Sequence, residues 1–345
     1  MPQPQKVSLK EVAEMAGVSA MTASRVLAGK SNVSPKLTKA VKDAAQTLGY
    51  QSNPLVQRVM SELRRGNSHS LTGIIAFINA SSKENDWKQL PYLKPFYEGI
   101  QDRTTSTGFA LDEIWIRQPG WHPGRTKSVL DARGVQGIII VPGSDPSQLD
   151  FPMDKFALAS FGGLAFDYPI HQVLPDYFHN YVLCYRKLRE HGYQRIGTFL
   201  PSYEVRITTE RAVGGFLSAQ WADPGKKKIP VGGGPKFWSQ AKKDFLAWVK
   251  KEKPDAIIAG YNEVDDWLKE IGYEVPRNIG LVHPGLAEDV EGWAGVDTNR
   301  YEQGSQAVDL LTGQIFRDEA GFPQTPKRLT IKGHWTEGQT IRTKP

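Results

Sequence analysis

Residues 7–29 read VSLKEVAEMAGVSAMTASRVLAG, and the spacing within them sets the architecture of the head. Ser8, followed three residues later by Glu11, has the form of a capping box, in which hydroxyl and carboxylate each accept from the other's backbone amide at a helix start. Val12, Met15 and Ala16 then fall on one face at helical spacing, and Gly17 supplies the left-handed residue that ends the helix at little steric cost. Ser19 caps a second helix, Ala20 to Ala28, whose apolar side holds Ala23, Val26 and Leu27. Ser34-Pro35 opens a third, with an apolar stripe of Leu37, Val41, Ala44, Ala45 and Leu48 and a stop at Gly49. Two helices around a glycine-containing turn, with small Ala13 and Ala16 at the crossing and Val18 plugging the turn, form a helix-turn-helix. A plain three-helix bundle would share this spacing, so the exposed residues must separate the two. Ala20, Met21, Thr22, Ser24 and Arg25 lie on the outer face of the second helix. Short residues allow close approach to base edges, hydroxyls bind phosphates, and an arginine can bridge both acceptors of a guanine.

Charge agrees. Residues 1–66 hold ten Lys/Arg against four Asp/Glu, while the rest of the 345-residue chain carries 33 of each sign. All of the net +6 therefore sits in the first fifth of the chain, as in a polyanion-binding head on an uncharged body.

These residues resemble the head of the lac repressor (LacI/GalR) family. The run Val7-Ser8-Leu9-Lys10-Glu11-Val12-Ala13, then Ala16-Gly17-Val18-Ser19, Thr22 and Ser24-Arg25-Val26-Leu27 carry the likeness, and Val33-Ser34, Lys42, Ala45, Leu48-Gly49-Tyr50 and Asn53-Pro54 extend it. The resemblance implies that Ala20, Met21 and Arg25 face the bases, with Ser19, Thr22, Ser24, Lys30, Ser34, Lys36 and Lys39 on the DNA backbone. It also implies a repressor that binds double-stranded, pseudo-palindromic operator DNA as a homodimer in the bacterial cytoplasm, at the nucleoid. The absence of a C-terminal leucine heptad favours a dimer over a tetramer.

Residues 1–52 are thus expected to form the DNA-binding head and residues 53–68 a hinge. After Asn53-Pro54, Leu55, Val56, Val59, Met60 and Leu63 make an apolar stripe of helical period. In the family such helices pair and push an apolar side chain into the minor groove, where it unstacks a base step. This sequence departs from the pattern, with Val59 at the usual leucine position. Met60 is the first wedge candidate and Val59 the second.

From residue 69 onward the pattern changes to alternating strands and helices. Strands are expected at 71–79, 110–117, 137–141, 155–161, 195–200, 256–259 and 280–282. Helices are expected at 91–108, 124–133, 176–191, 209–221, 237–251, 263–271 and 301–315. That alternation predicts an α/β body of two doubly wound parallel-sheet lobes. The first lobe is expected at 69–174 and 300–325, the second at 175–299 and 326–345. Such bodies resemble periplasmic binding proteins, and Leu188–Ile196, Arg211-x-x-Gly214, Pro254–Ile258, Gly272–Pro276 and Gly304-x-x-Ala307-Val308 carry the likeness here.

Open parallel sheets hold ligands beyond the carboxyl ends of their strands, which places a small-molecule effector between the lobes. The family resemblance makes that effector a carbohydrate or related metabolite. Arg211, Asn79, Phe161, Trp238, Tyr261, Asn262 and His283 are the candidate contacts. The carboxylates that many family members direct at sugar hydroxyls are missing from their usual places: Gly260-Tyr261-Asn262-Glu263, His283-Pro284-Gly285 and Phe161-Gly162-Gly163 stand there instead.

Rival chemistries find no motif. The sequence has no Gly-x-Ser-x-Gly, no phosphate loop, no Gly-x-Gly-x-x-Gly after a strand and no His-Glu-x-x-His; Gly232-Gly233-Gly234-Pro235 reads as a turn. The expectation is a chain that is not an enzyme and needs no metal or cofactor. No run of eighteen apolar residues exists, the N-terminus lacks a secretory pattern, and Cys184 is the single cysteine, all expected of a protein of the reducing cytoplasm. The alternative reading is a small-molecule binding protein without operator-specific regulation.

Overall fold

The computed structural model describes residues 8–27, 34–50, 73–80, 83–141, 152–162, 169–208, 210–224, 227–234, 238–286 and 290–342. The chain divides into two compact units, Met1–Leu71 and Thr72–Pro345.

The head unit contains α1 (Leu9–Met15), α2 (Ala20–Leu27) and α3 (Pro35–Leu48). Its core is small: Val12 and Ala13 of α1, Ala23 and Val26 of α2, and Val41, Ala44 and Ala45 of α3, with Leu9, Ala16, Val18, Leu27, Leu48 and Tyr50 packed around them. Two residues expected on apolar faces, Met15 and Leu37, are exposed instead. Three short helices cannot enclose every apolar position, and alanine-lined crossings leave little core to share.

The body opens with β1 (Ile74–Asn79), α4 (Lys94–Ser106), β2 (Ala110–Trp115), α5 (Pro123–Arg133), β3 (Val135–Ile140), β4 (Ala157–Phe161) and β5 (His171–Pro175). It continues with α6 (Tyr177–Glu190), β6 (Ile196–Pro201), α7 (Ser202–Ile207), α8 (Arg211–Trp221), β7 (Gly232–Gly234), α9 (Trp238–Glu252), β8 (Ala256–Ile258), α10 (Glu263–Glu270), β9 (Gly280–Leu286) and β10 (Ala294–Asp297). The last elements are α11 (Arg300–Phe316), β11 (Arg328–Ile331) and β12 (His334–Thr336). They form two six-stranded sheets, ordered β11-β5-β4-β3-β1-β2 and β12-β10-β9-β8-β6-β7. Every described pairing is parallel except that of β12 with β10.

Strand periodicity explains the layering. Alternate residues of β1 enter different cores: Ile75 and Phe77 pack with Phe96 and Ile100 of α4 and with Ala307, Val308 and Leu311 of α11, whereas Ala76 and Ile78 pack with Leu130 of α5. In the second sheet Ala256 and Ile258 face Cys184, Leu188 and Phe216, and Ile257 faces Phe245 and Val249. Strands buried on both faces read as continuous apolar runs, the signal visible in residues 74–79. Burial also pushes the Cys184 thiol well above its usual range, which leaves it an inert core residue.

The structure corrects three readings of the sequence. Gly232–Gly234 is an edge strand rather than a turn, and it is glycine for want of space: a Cβ on Gly232 would lie 2.5 Å from the Phe199 ring, and one on Gly233 2.2 Å from the Leu200 carbonyl. The strands β5, β10, β11 and β12, each of three to five residues, carried too few apolar positions to be read. The boundary at residue 326 falls early, because Arg328–Ile331 still pairs with β5 in the first sheet.

Two glycines set how closely α4 and α11 approach. A Cβ on Gly99 would sit 2.0 Å from the Tyr301 carbonyl oxygen, and one on Gly304 2.1 Å from that of Phe96. Gly99→Ala or Gly304→Ala should therefore destabilise the body by about 1–3 kcal/mol through overpacking. Gly214→Ala, whose Cβ would meet the Phe178 ring at an ordinary 3.7 Å, should be neutral or stabilising. Thermal melts of the three variants check the contrast.

Candidate nucleic-acid interface and ligand site

In the head, local hydrogen bonding fixes the three helix starts. The Ser8 amide donates to Glu11 Oε2 at 2.6 Å and the Glu11 amide donates to Ser8 Oγ at 3.3 Å, completing the capping box. The bond from the Ser8 backbone, reinforced by the Ser8 hydroxyl, holds the Glu11 carboxyl below the usual carboxylate range. Ser19 Oγ accepts from the Thr22 amide at 3.2 Å, and Ser34 Oγ accepts from the Leu37 amide at 3.5 Å. Gly17 adopts φ +64°, and the Val18 amide donates to the Ala13 carbonyl at 3.0 Å, which closes the turn between α1 and α2.

This geometry sorts the expected DNA-contact residues. Ala20, Met21 and Arg25 are exposed on α2, while Thr22 and Ser24 are half-buried beside them. Ser19 and Ser34 sit at the N-termini of α2 and α3, where amide groups and helix dipole favour a phosphate. Lys36 and Lys39 are exposed on α3, and no described carboxylate pairs with either. Lys30, Val59 and Met60 lie outside the described residues, as does the side chain of Trp238.

In the body, three connections pass from the carboxyl edge of one sheet to an element of the other lobe: Pro175 to Tyr177, Asp297 to Arg300 and Ile331 to His334. A single polar cluster ties them together. The Asp176 amide donates to the Ile331 carbonyl at 2.8 Å. Buried Asn180 donates through Nδ2 to the Pro284 carbonyl at 3.1 Å and accepts from the Gly333 amide at 3.3 Å. Asn299 donates from its amide to Asp297 Oδ1 at 2.8 Å and from Nδ2 to the Lys332 carbonyl at 2.9 Å. Arg300 donates to the carbonyls of Leu286 and Gly285 at the end of β9.

Of the candidate ligand contacts, Asn79 ends β1 and donates to the Glu84 carbonyl at 2.7 Å. Arg211 is the first residue of α8 and half-buried; its amide donates to the Thr208 carbonyl at 3.1 Å, and its guanidinium has no ion-pair or hydrogen-bond partner among the described residues. Asn262 stands at the start of α10. Three others are committed to the interior. Phe161 packs against Phe77 and Phe96. Tyr261 is buried and its hydroxyl donates to the Phe199 carbonyl. His283 is buried, with Nδ1 accepting from the Gly285 amide at 3.1 Å.

Two groups at this edge escaped the sequence reading. Thr298 follows β10 directly and Gln303 lies in the first turn of α11; Gln303 Nε2 donates to the Thr298 carbonyl at 2.7 Å. Their other polar atoms, Thr298 Oγ1 and Gln303 Oε1, are buried without a protein partner. A buried polar atom left unpaired costs about 1–3 kcal/mol, so such atoms gather where another molecule completes them. The signal was available in Asp297-Thr298-Asn299, but the four-residue strand before it was too short to place them at a sheet edge.

Residues 8–53 match the sequence model for "Bacterial regulatory proteins, lacI family". The HTH-type transcriptional regulator GntR of Pseudomonas aeruginosa is 43% identical over 68 residues, 20% of this chain and 19% of that protein. The maltose regulon regulatory protein MalI of Escherichia coli is 26% identical over 216 residues, 62% of this chain and 59% of that protein. The chain thus spans about a fifth and about three fifths of these relatives' lengths in the matched regions. The crystal structure of a lac repressor dimer bound to operator and the anti-inducer ONPF has the same fold, with a TM-score of 0.55 and 18% identity over 98% of this chain and 100% of that one.

Because the folded state depresses the Glu11 carboxyl, its contribution to head stability is complete at neutral pH. That contribution is lost as pH falls through the lowered value. Glu11→Gln should keep the capping geometry while removing this acid sensitivity. Helicity followed by circular dichroism from pH 7 to pH 2 in both proteins reads the difference.

Proposed function

We propose that this chain, whose head belongs to the lacI family of bacterial regulatory proteins, is a sequence-specific DNA-binding regulator acting as a homodimeric repressor in the cytoplasm. A small-molecule effector held at the facing carboxyl edges of its two sheets sets its affinity for operator DNA. The observation that carries this reading is α2. Its buried side is fixed by Ala23 and Val26, and that leaves Met21 and Arg25 outermost on a helix whose N-terminus, like that of α3, is capped by a serine. Arginine supplies paired donors for a guanine, and the capped ends supply phosphate sites. One such head reads only a short half-site, so useful specificity calls for two copies on a palindrome. The names of the MalI relative and of the ligand-bound lac repressor structure support a carbohydrate or related metabolite as effector.

Within the body, Arg211, Asn79, Asn262, Thr298 and Gln303 are the proposed polar contacts with the effector. Met60, with Val59 beside it, remains the proposed hinge wedge.

Arg25→Ala should lose about 1–3 kcal/mol of discrimination between operator and random DNA. Non-specific binding and its salt slope should be nearly unchanged, since those come from phosphate contacts. Titrations on both DNAs at several salt concentrations test this; retention of the wild-type specificity ratio would remove Arg25 from base reading.

Thr298→Val should leave the ligand-free melting temperature close to wild type, because it removes an unsatisfied polar atom, whereas Gln303→Leu should lower it, because it also strips the Thr298 carbonyl of its bond from Gln303 Nε2. Both should lose stabilisation by the effector, which for wild type reaches about 2.7 kcal/mol at a hundredfold excess over Kd. Thermal-shift screening of sugars and related metabolites finds the ligand, and the same assay on the variants tests the site.

A further inference from the structure

The outer face of α8 carries an exposed apolar stripe. At about 100° per residue, Ala212, Gly215, Phe216, Ala219 and Gln220 fall on one side of that helix, and all are buried. Gly214, Leu217, Ser218 and Trp221 fall on the opposite side, within about 100° of one another. Leu217 and Trp221 are exposed, and Trp221, at 80%, is the most exposed of the large apolar side chains described. Phe178, in the first turn of α6, extends the stripe. Its ring lies beside Gly214, where an added Cβ would meet it at 3.7 Å, and it too is exposed. From Gly214 to Trp221 the stripe covers two helical turns, about 10 Å. Contiguous apolar surface of this kind marks places where a second molecule packs.

The Trp221 end of the stripe is basic. α8 lies between β6 and its parallel neighbour β7, so its last turn stands at the amino edge of the second sheet, away from the candidate ligand contacts. Two hydrogen bonds pin the link into β7 beside that turn. Gln220 Nε2 donates to the Ile229 carbonyl at 2.9 Å, and Trp248 Nε1 of α9 donates to the Pro230 carbonyl at 3.1 Å. Lys227 and Lys228, both exposed, are thereby held next to Trp221. Lys251, one turn beyond Trp248, is exposed on the other side of the link. The carboxylates nearest in sequence are engaged: Asp223 pairs with Arg189 at 2.6 Å, and Glu252 with Lys251 at 3.3 Å. No described carboxylate pairs with Lys227 or Lys228.

We propose that this face of α8 docks an acidic amphipathic helix of another protein, with Trp221 as the anchor. Apolar residues at i, i+3 or i+4, and i+7 on the partner would span the two-turn stripe, and carboxylates beyond them would meet the lysines. A tryptophan at the centre of such a contact supplies a large share of the binding energy. A nucleic acid would satisfy the lysines but leave Leu217 and Phe178 without apolar contact. A second copy of this chain offers no carboxylate on its own α8, whose sequence is RAVGGFLSAQW.

The test uses the full-length chain and a displayed library of random 15-residue peptides. Peptides enriched on the wild type should combine an apolar stripe of helical period with several Asp or Glu residues. A synthetic copy of one of them, followed by fluorescence anisotropy, should bind Trp221→Ala at least about thirtyfold more weakly. The Lys227→Glu/Lys228→Glu double variant should also bind it more weakly, and should recover affinity when the peptide's acids are changed to lysine. All three side chains are exposed, so thermal melts of the variants should match wild type. Enriched peptides with no excess of acidic residues, or equal binding by wild type and Trp221→Ala, overturn the proposal. An oligomer that falls to a smaller species in Trp221→Ala on sedimentation assigns the face to a second copy and overturns it. Failure to enrich any peptide, with duplex DNA or phosphatidylglycerol vesicles bound through Lys227 and Lys228 instead, overturns it as well. Operator binding and effector binding by Trp221→Ala should stay at wild-type levels, so the outcome is independent of the function proposed above.

Discussion

Two residues, Lys332 and Gly333, separate the end of β11 in the first sheet from the start of β12 in the second. This short link constrains the whole body. β11 runs parallel with its sheet, so it ends at that sheet's carboxyl edge; β12 runs against its neighbour, so it begins at the carboxyl edge of the other. From Ile331 to His334 the chain takes three residue steps and reaches at most about 10–11 Å, so the two edges must face each other closely at this point. Gly333 cannot be replaced cheaply there, since a Cβ would lie 2.2 Å from Val296 Cγ1 and 2.6 Å from the Asp297 carbonyl. The other two connections are bonded to this one through Asn180 and Asn299. Polar groups in short links at the mouth of a crevice are the setting in which open α/β sheets take ligands.

The sequence disclosed what repeats and missed what depends on neighbours. The head was legible almost residue by residue, because capping boxes, N1 proline and terminal glycines are local chemistry that needs no tertiary context. Ser8, Glu11, Ser34 and Gly49 all take the expected roles. The doubly buried strands β1 and β3 were equally plain as apolar runs. The short strands β7 and β10–β12 were not, since three or four residues carry no usable period and their pairing is set by distant partners. The candidate ligand site suffered most from this. Phe161, Tyr261 and His283 lie near strand ends, as expected, but their rings and polar atoms serve packing and local hydrogen bonds. Thr298 and Gln303 became visible only once β10 and α11 were in place.

The division of charge gives the two units different physical tasks. With the whole net charge in residues 1–66, the proposed regulator would draw its DNA affinity from the head, with the salt dependence of counterion release. Such attraction is blind to sequence. Selectivity has to come from a few uncharged or geometrically matched contacts on one helix, and α2 presents few candidates beyond its two long exposed residues, Met21 and Arg25. A neutral body contributes little to non-specific attraction, which leaves it able to alter binding without shifting the electrostatic baseline.

Control by an effector then becomes a question of differential affinity. A ligand shifts an equilibrium only by the ratio of its affinities for the two states, however tightly it binds overall. The polar cluster around Asn180, Asn299 and Arg300 matters here because it joins the three connections across which the two lobes would move. A ligand completing Thr298 Oγ1 would act one residue from Asp297 and Asn299, members of that same cluster. Linkage makes the coupling reciprocal: whatever factor the effector imposes on operator affinity, operator must impose on effector affinity. In the proposed regulator, the polar atoms at the sheet edges and the outer face of α2 are therefore two ends of one free-energy balance. Changes at either end should appear as changes in binding at the other only to the extent that the connections between the lobes respond.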